Sequence, residues 1–197
     1  MIEITAELEC PLMNSEFNGR PGQAAQSEAA FWRSLEELFP LFEREGIALN
    51  PEAHPDDFRE ENTAAVGLVR AIDKPWVNYL YRAPHTFHLP GADPTADIAA
   101  MTRYAGDKPH HAHIADTFDH KGSPGLRYIL NPPGTPARIR RHPDIGQGEI
   151  DWAAFFDTLR ELKFDGVATA CVFAWDERAR DSSAFMPERI SKELPAS

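Results

Sequence analysis

Short apolar or β-branched runs alternate with amphipathic stretches along the whole chain, and this alternation constrains the fold more than any other feature. The runs cover residues 1–8, 47–51, 76–81, 110–115 and 166–173. Between the first two, Phe31, Leu35, Leu38, Phe39 and Phe42 recur at helical spacing, after a cap signal at Ser27 and before Gly46, with Pro40 inside the pattern. Further helices are expected at residues 63–72, opened by Pro55-Asp56-Asp57, and at 96–104. Another begins at Ile150-Asp151-Trp152, with Phe155, Phe156, Leu159 and Leu162 on one face, and the last covers 185–194. Residues 10–26 and 118–142 read as long loops rich in Gly and Pro. Strand followed by helix, repeated, argues for a parallel sheet with helices outside and for one domain over residues 1–197. About five βα units are present where a closed barrel needs eight, so the expectation is an open sheet or the later part of a barrel.

The formal net charge of -11 disfavours nucleic acid as a main partner, because a phosphate backbone calls for a basic footprint, and no nucleic-acid partner is expected. It is compatible with small polar substrates and with cations. No apolar run is long enough to span a membrane, so no membrane partner is expected. Two thiols far apart in sequence, Cys10 and Cys171, make no disulfide framework, and with no signal peptide visible the cytoplasm is the expected compartment. Cys171, in an apolar run, reads as an inert core thiol.

Histidines stand beside carboxylates at four places next to turns: Glu52-Ala53-His54, Pro84-His85-Thr86-Phe87-His88, His111-Ala112-His113-Ile114-Ala115-Asp116 and His142-Pro143-Asp144. Imidazole and carboxylate delivered by successive strand ends are how an α/β barrel builds a divalent-metal site. Glu52 and His54, two residues apart, can share a face, as can His111 and His113. His85 sits at a strand mouth. His113 is the strongest single candidate ligand, and Asp116, at the same mouth, is placed to bind substrate or to orient a metal-bound imidazole. Arg127, within Gly125-Leu126-Arg127-Tyr128, can grip a carboxylate or phosphate in two places or form a structural ion pair.

Together these residues resemble the sugar-phosphate isomerase/epimerase group of xylose isomerase-like TIM barrels, and within it the myo-inositol catabolism branch. The matching text runs from 31–46 through Glu52-Ala53-His54-Pro55-Asp56-Asp57-Phe58 and Pro84-His85-Thr86-Phe87-His88. It continues in His113-Ile114-Ala115-Asp116, Gly125-Leu126-Arg127-Tyr128, Ile145-Gly146-Gln147-Gly148-Glu149 and Phe164-Asp165-Gly166. The resemblance implies a partial barrel lacking the first three βα units, with residue 1 at the position of the fourth strand. It implies a divalent metal (Mn, Zn, Fe, Co or Mg) on Glu52, His85 and His113, and His142 matches a loop ligand of the related endonuclease branch. His85 stands where most relatives carry Asp, which favours a softer ion over Mg. The eighth-strand Glu of the family is absent, the segment reading Ala170-Cys171-Val172-Phe173-Ala174-Trp175, with Glu177 in the following loop.

The activity this implies is a metal-dependent isomerase or epimerase acting on a small sugar or polyol by proton transfer next to a carbonyl. Glu52 or Glu7 would move the proton, and His54, His88 or Arg127 would hold substrate oxygens. Two alternatives stand beside it. One is a truncated, non-catalytic relative, and the exposed edges of a partial barrel predict self-association into a homo-oligomer. The other is a metal-dependent phosphodiesterase of the apurinic endonuclease type, which the acidic charge disfavours.

Overall fold

The computed structural model describes residues 1–54, 57–86, 94–117, 142–173 and 176–194. The helices are α1 (Ile2–Glu7), α2 (Ala24–Glu45), α3 (Asn62–Ile72), α4 (Ala83–Thr86), α5 (Pro94–Ala105), α6 (Trp152–Glu161) and α7 (Ala179–Glu193). The strands are β1 (Leu12–Glu16), β2 (Ala48–Glu52), β3 (Tyr79–Arg82), β4 (Pro109–Ile114) and β5 (Val167–Ala170). Every pairing is parallel and the spatial order is β1-β2-β3-β4-β5. Each strand therefore lies beside the next in sequence with no reversal of order, the arrangement of a barrel wall rather than of a doubly wound sheet. The sheet curls. His111 Nδ1 on β4 comes within 3.1 Å of Asn14 Oδ1 on β1, three strands away.

The two faces of the curled sheet differ in chemistry because successive side chains point to opposite sides. Outward residues Leu49, Tyr79, Tyr81, Ala112 and Ile114 are buried in one apolar core with Val66 and Val69 of α3, Ile98 of α5, and Phe155 and Phe156 of α6. Tyr81 stacks on Phe155 at 5.6 Å between ring centroids, and Phe42 of α2 stacks on Trp76 at 5.2 Å. The polar inward residues, which share their side of the sheet with the buried Leu80, lie in two layers. Asn14, Asn50 and His111 form the lower one; Glu16, Glu52, Arg82 and His113, one pleat nearer the C-terminal ends, form the upper one.

The expected first strand is a correction. Residues 2–7 are helical, with Thr5 N bonded to Met1 O at 2.9 Å, and the strand lies inside the expected loop. The turn signals were real but bracket the strand: Pro11 precedes it, and Asn18 and Gly19, both in the left-handed region at φ 58° and 85°, follow it. The chain there must leave β1 sharply enough to feed α2. Helix α2 starts at Ala24, so Ser27 is not its cap, and it accommodates Pro40 without ending until Gly46 at φ 67°. Asp151 caps α6 as its position suggests, accepting from Ala154 N at 3.0 Å. Strand β5 is half exposed rather than buried, with Val167 at 42%, because it is an edge of the sheet. Cys10 and Cys171 are free thiols; burial pushes the Cys171 thiol up, as an inert core thiol should be. Among the described residues no helix is long and apolar enough to cross a membrane.

Candidate functional site

The upper inward layer brings one carboxylate, two imidazoles and one guanidinium together at the C-terminal ends of β2, β3 and β4. Glu52 is the last residue of β2, Arg82 the last of β3, His85 follows on α4, and His113 is paired in register with Arg82. Glu52 is 4% exposed and His85 0%. His85 Nδ1 lies 2.7 Å from Glu52 Oε1, Arg82 Nε 3.3 Å from the same oxygen, and His113 Nδ1 3.4 Å from Oε2. Arg82 also donates from Nε to His113 Nδ1 at 3.1 Å and from Nη1 to His85 Nε2 at 3.2 Å, and Nη2 meets His113 Nδ1 as well.

The protonation pattern follows from these contacts. Burial pushes the Glu52 carboxyl up, but the imidazoles of His113 and His85 and the Arg82 charge outweigh it and hold the group well below the usual carboxylate range. Burial lowers His85 to about 4 against the attraction of Glu52, so near neutral pH His85 is a neutral ring with its Nδ1 in contact with the carboxylate. Its Nε2 lone pair then accepts from Arg82. Glu52 is the fixed anion of the site and Arg82 its fixed cation.

A second group lies beside it. Glu16 ends β1, His54 follows β2, and Asp57 precedes α3; one ligand atom from each falls within 4.8 Å of the others. His54 Nε2 is 3.5 Å from Glu16 Oε1, and its ring meets that of His85 edge-on at 4.6 Å. Burial pushes Asp57 up to about 6; the Asn18 backbone N–H, donating at 2.9 Å, opposes this, and the charges of Glu16 and Glu52 add to it. A cleft of about 310 Å³ opens between the two groups, lined by Asn14, Ser15, Glu16, Glu52, Arg82 and His113.

Glu52, His85, His113 and His54 are therefore gathered as their spacing suggests. Other expected residues fall elsewhere. Glu7 is exposed on α1, since the segment is a helix and not a strand ending at the mouth. Asp116 is fully buried and accepts from Thr117 N (2.9 Å), Gly146 N (2.8 Å), Ile150 N (3.2 Å) and Trp152 Nε1 (2.9 Å). Four bonds saturate a carboxylate, so Asp116 ties the 142–150 loop to β4 and has no capacity left for substrate. A Cβ on Gly148 would meet Asp116 Oδ1 at 2.2 Å, which is why the loop needs a glycine there. His142 is buried behind His85, ring centroids 5.5 Å apart, and packs on Phe173. Glu177 is exposed in the short 3-10 turn before α7. His88 and Arg127 lie outside the described residues, as does most of the expected loop at 118–142.

Arg82, Glu16 and Asp57 are site residues that sequence reasoning missed. For Arg82 a signal existed: it lies two residues on from Leu80 along a strand whose other face carries Tyr79 and Tyr81, so it had to point inward. In kind, Glu52, His85 and His113 are donors suited to a divalent ion, but among the described residues the ligand atoms that lie within 4.8 Å of one another are those of Glu16, His54 and Asp57. In place, the Arg82 guanidinium stands among the first three.

Comparison with known proteins agrees with this architecture. Among solved structures, a D-tagatose 3-epimerase-like protein superposes with a TM-score of 0.70 at 17% identity, over 98% of this chain and 65% of that one. The IolI protein with a bound zinc atom gives 0.69 at 18%, over 98% and 66%. D-allulose 3-epimerase from Methylomonas sp. gives 0.66 at 16%, over 98% and 66%. The chain thus spans about two thirds of the length of these neighbours. No curated protein matches it. The family described as xylose isomerase-like TIM barrel matches residues 1–189, and with five sequentially ordered parallel strands carrying their polar layer at the C-terminal mouth, the chain belongs to that family.

Proposed function

We propose that this chain carries the site of an isomerase or epimerase that moves a proton next to the carbonyl of a small sugar, inositol derivative or related polyol. The observation that carries the reading is the cluster of Glu52, Arg82, His85 and His113 around one cleft at the mouth of β2–β4. Solved neighbours named as epimerases and as a zinc-bound IolI protein support the substrate class and a divalent ion.

Glu52, His85 and His113 would hold that ion, which when bound supplies Lewis acidity to a carbonyl oxygen. Glu52 is matched to holding charge rather than to taking a proton, because its affinity for a proton is so strongly reduced. Proton transfer falls better to Glu16, the other carboxylate lining the cleft, with His54 beside it. Glu16 thereby takes the part for which the family's eighth-strand Glu is missing. Arg82, bordering the same cleft, stabilises the oxygen on which negative charge develops. The edge strands β1 and β5 leave sheet edges that a second copy would cover, in keeping with the expected homo-oligomer.

The test is a panel of hexuloses, pentuloses and inososes incubated with the protein and Mn or Zn, with products followed by NMR. Conversion of at least one member, reduced at least 100-fold in Glu16→Gln and in Glu52→Gln, is the expected result. Conversion retained in both variants would refute the assignment.

A further inference from the structure

We propose that Glu16, His54 and Asp57 form a divalent-cation site of their own, beside the Glu52 group, and that an ion held there takes Glu16 out of proton transfer. The second half rests on the reading of Glu16 as the base; the site itself does not.

Three observations carry it. The donors converge: one ligand atom from each side chain lies within 4.8 Å of the other two, giving an imidazole and two carboxylates, a set suited to zinc, manganese or cobalt. The separation of His54 Nε2 from Glu16 Oε1 is 3.5 Å. A charge-assisted hydrogen bond closes to about 2.7–2.9 Å, whereas two ligands of one tetrahedral ion with bonds of about 2.0–2.2 Å stand roughly 3.3–3.6 Å apart. Asp57 is 7% exposed, yet among the described residues its side chain accepts a single hydrogen bond, from Asn18 N at 2.9 Å. A carboxylate has about four acceptor positions, so most of those on this buried group are left for a cation. Arg59, the nearest cation along the chain, is taken up by Glu28.

The backbone holds the three in place. Glu16 pairs in register with Glu52, which sets it beside His54 two residues further on. Asp57 N donates to His54 O at 3.1 Å, and Phe58 N donates to Asn18 O at 3.1 Å, so the segments that follow β1 and β2 are tied together around the ligands. The Glu16 side chain is 52% exposed and borders the cleft of about 310 Å³, which gives an ion a way in. An ion bound there occupies the carboxylate lone pairs that would receive the substrate proton, so excess metal should slow turnover.

The probe is zinc chloride alone, titrated calorimetrically into the full chain. The parent should bind zinc, and Asp57→Asn should bind it at least roughly 10-fold more weakly, since even partners outside the ligand shell are worth about 10- to 100-fold. His113→Asn should keep this binding. No zinc binding by the parent, or binding undiminished in Asp57→Asn, would overturn the proposal; if His113→Asn then loses it, the ion belongs to the Glu52 group instead. A second measurement needs no variant. On the parent protein, the His54 ring resonances should move with the first equivalent of zinc. Zinc binding with those resonances unmoved would refute the site even if Asp57→Asn failed to fold. Neither readout depends on conversion of a sugar, so its outcome is separate from that of the proposed function. Where a sugar is converted, zinc should slow the parent at lower concentration than Asp57→Asn; equal slowing in both would refute the effect on Glu16.

Discussion

The two faces of the curled sheet are built from alternate residues of the same strands, yet they obey opposite rules. On the convex face Tyr79, Tyr81, Ala112 and Ile114 meet apolar helix residues and find stability in area removed from water. On the concave face Asn14, Asn50, Glu52, Arg82, His111 and His113 meet one another. A closed barrel usually fills this volume with branched apolar side chains. Here it is filled with groups that must satisfy each other or lose their hydration for nothing. The convex face holds the strands in register, and the concave face converts that register into chemistry, since a shift of one residue would exchange the two.

Breaking the convex face should have the largest effect on stability. Phe156, fully buried against Trp152 and Phe155, should cost about 3–5 kcal/mol when replaced by alanine, measured by urea denaturation. The folded fraction should keep its ligand affinity. Glu52→Ala on the concave face should cost about 3 kcal/mol, because it leaves the Arg82 charge buried without its anion. A cost near zero would mean that water reaches Arg82 freely. Gly148→Ala sharpens the contrast at the rim. It forces Asp116 away from its loop, for about 2 kcal/mol, and should disturb the His142 and Trp152 signals in NMR spectra before those of α2.

The pH response separates the faces without mutation. Burial holds His85 and His111 at about 4 in the folded chain, below the 6.5 of a free imidazole. The unfolded chain therefore binds more protons between these values, and stability present above pH 6.5 is lost as pH falls toward 4. Glu52, also depressed, adds its loss only below its own unfolded value of 4.5. The slope of stability between pH 6 and 4 should correspond to about one proton, two from the histidines less one from Asp57, which burial raises to about 6, and to about zero in His111→Gln. An unchanged slope in that variant would show that His111 is not held neutral between Asn14 and Thr169.

Much of the convex face was legible in the sequence because it is a matter of period. Phe155, Phe156 and Leu159 recur on one helix face, and Tyr79 and Tyr81 alternate with Leu80 and Arg82. Strand β1 was not legible. Leu12-Met13-Asn14-Ser15-Glu16 carries polar residues in its last three positions, because its inward side faces a polar layer and it is a sheet edge, so apolar alternation never develops. Missing β1 also hid Glu16. On the concave face the histidines announced themselves by type, and Glu52 by its place at a strand end. Arg82 was marked only by alternation, two residues on from Leu80 on the face opposite Tyr79 and Tyr81, and not by its residue type, which was the cue followed for the histidines. Asp116 was misread because its four donors come from the 142–150 loop and Trp152 some thirty residues later, apart from Thr117 beside it.

The most direct test of the account is solvent deuterium wash-in at the carbon next to the carbonyl of the best substrate, compared among the parent, Glu52→Gln and His111→Gln. The account predicts exchange in the parent, a loss of at least 100-fold in Glu52→Gln, and a rate near the parent's in His111→Gln at neutral pH. Equal exchange in the parent and Glu52→Gln, or loss confined to His111→Gln, would contradict it and place the chemistry outside the upper layer.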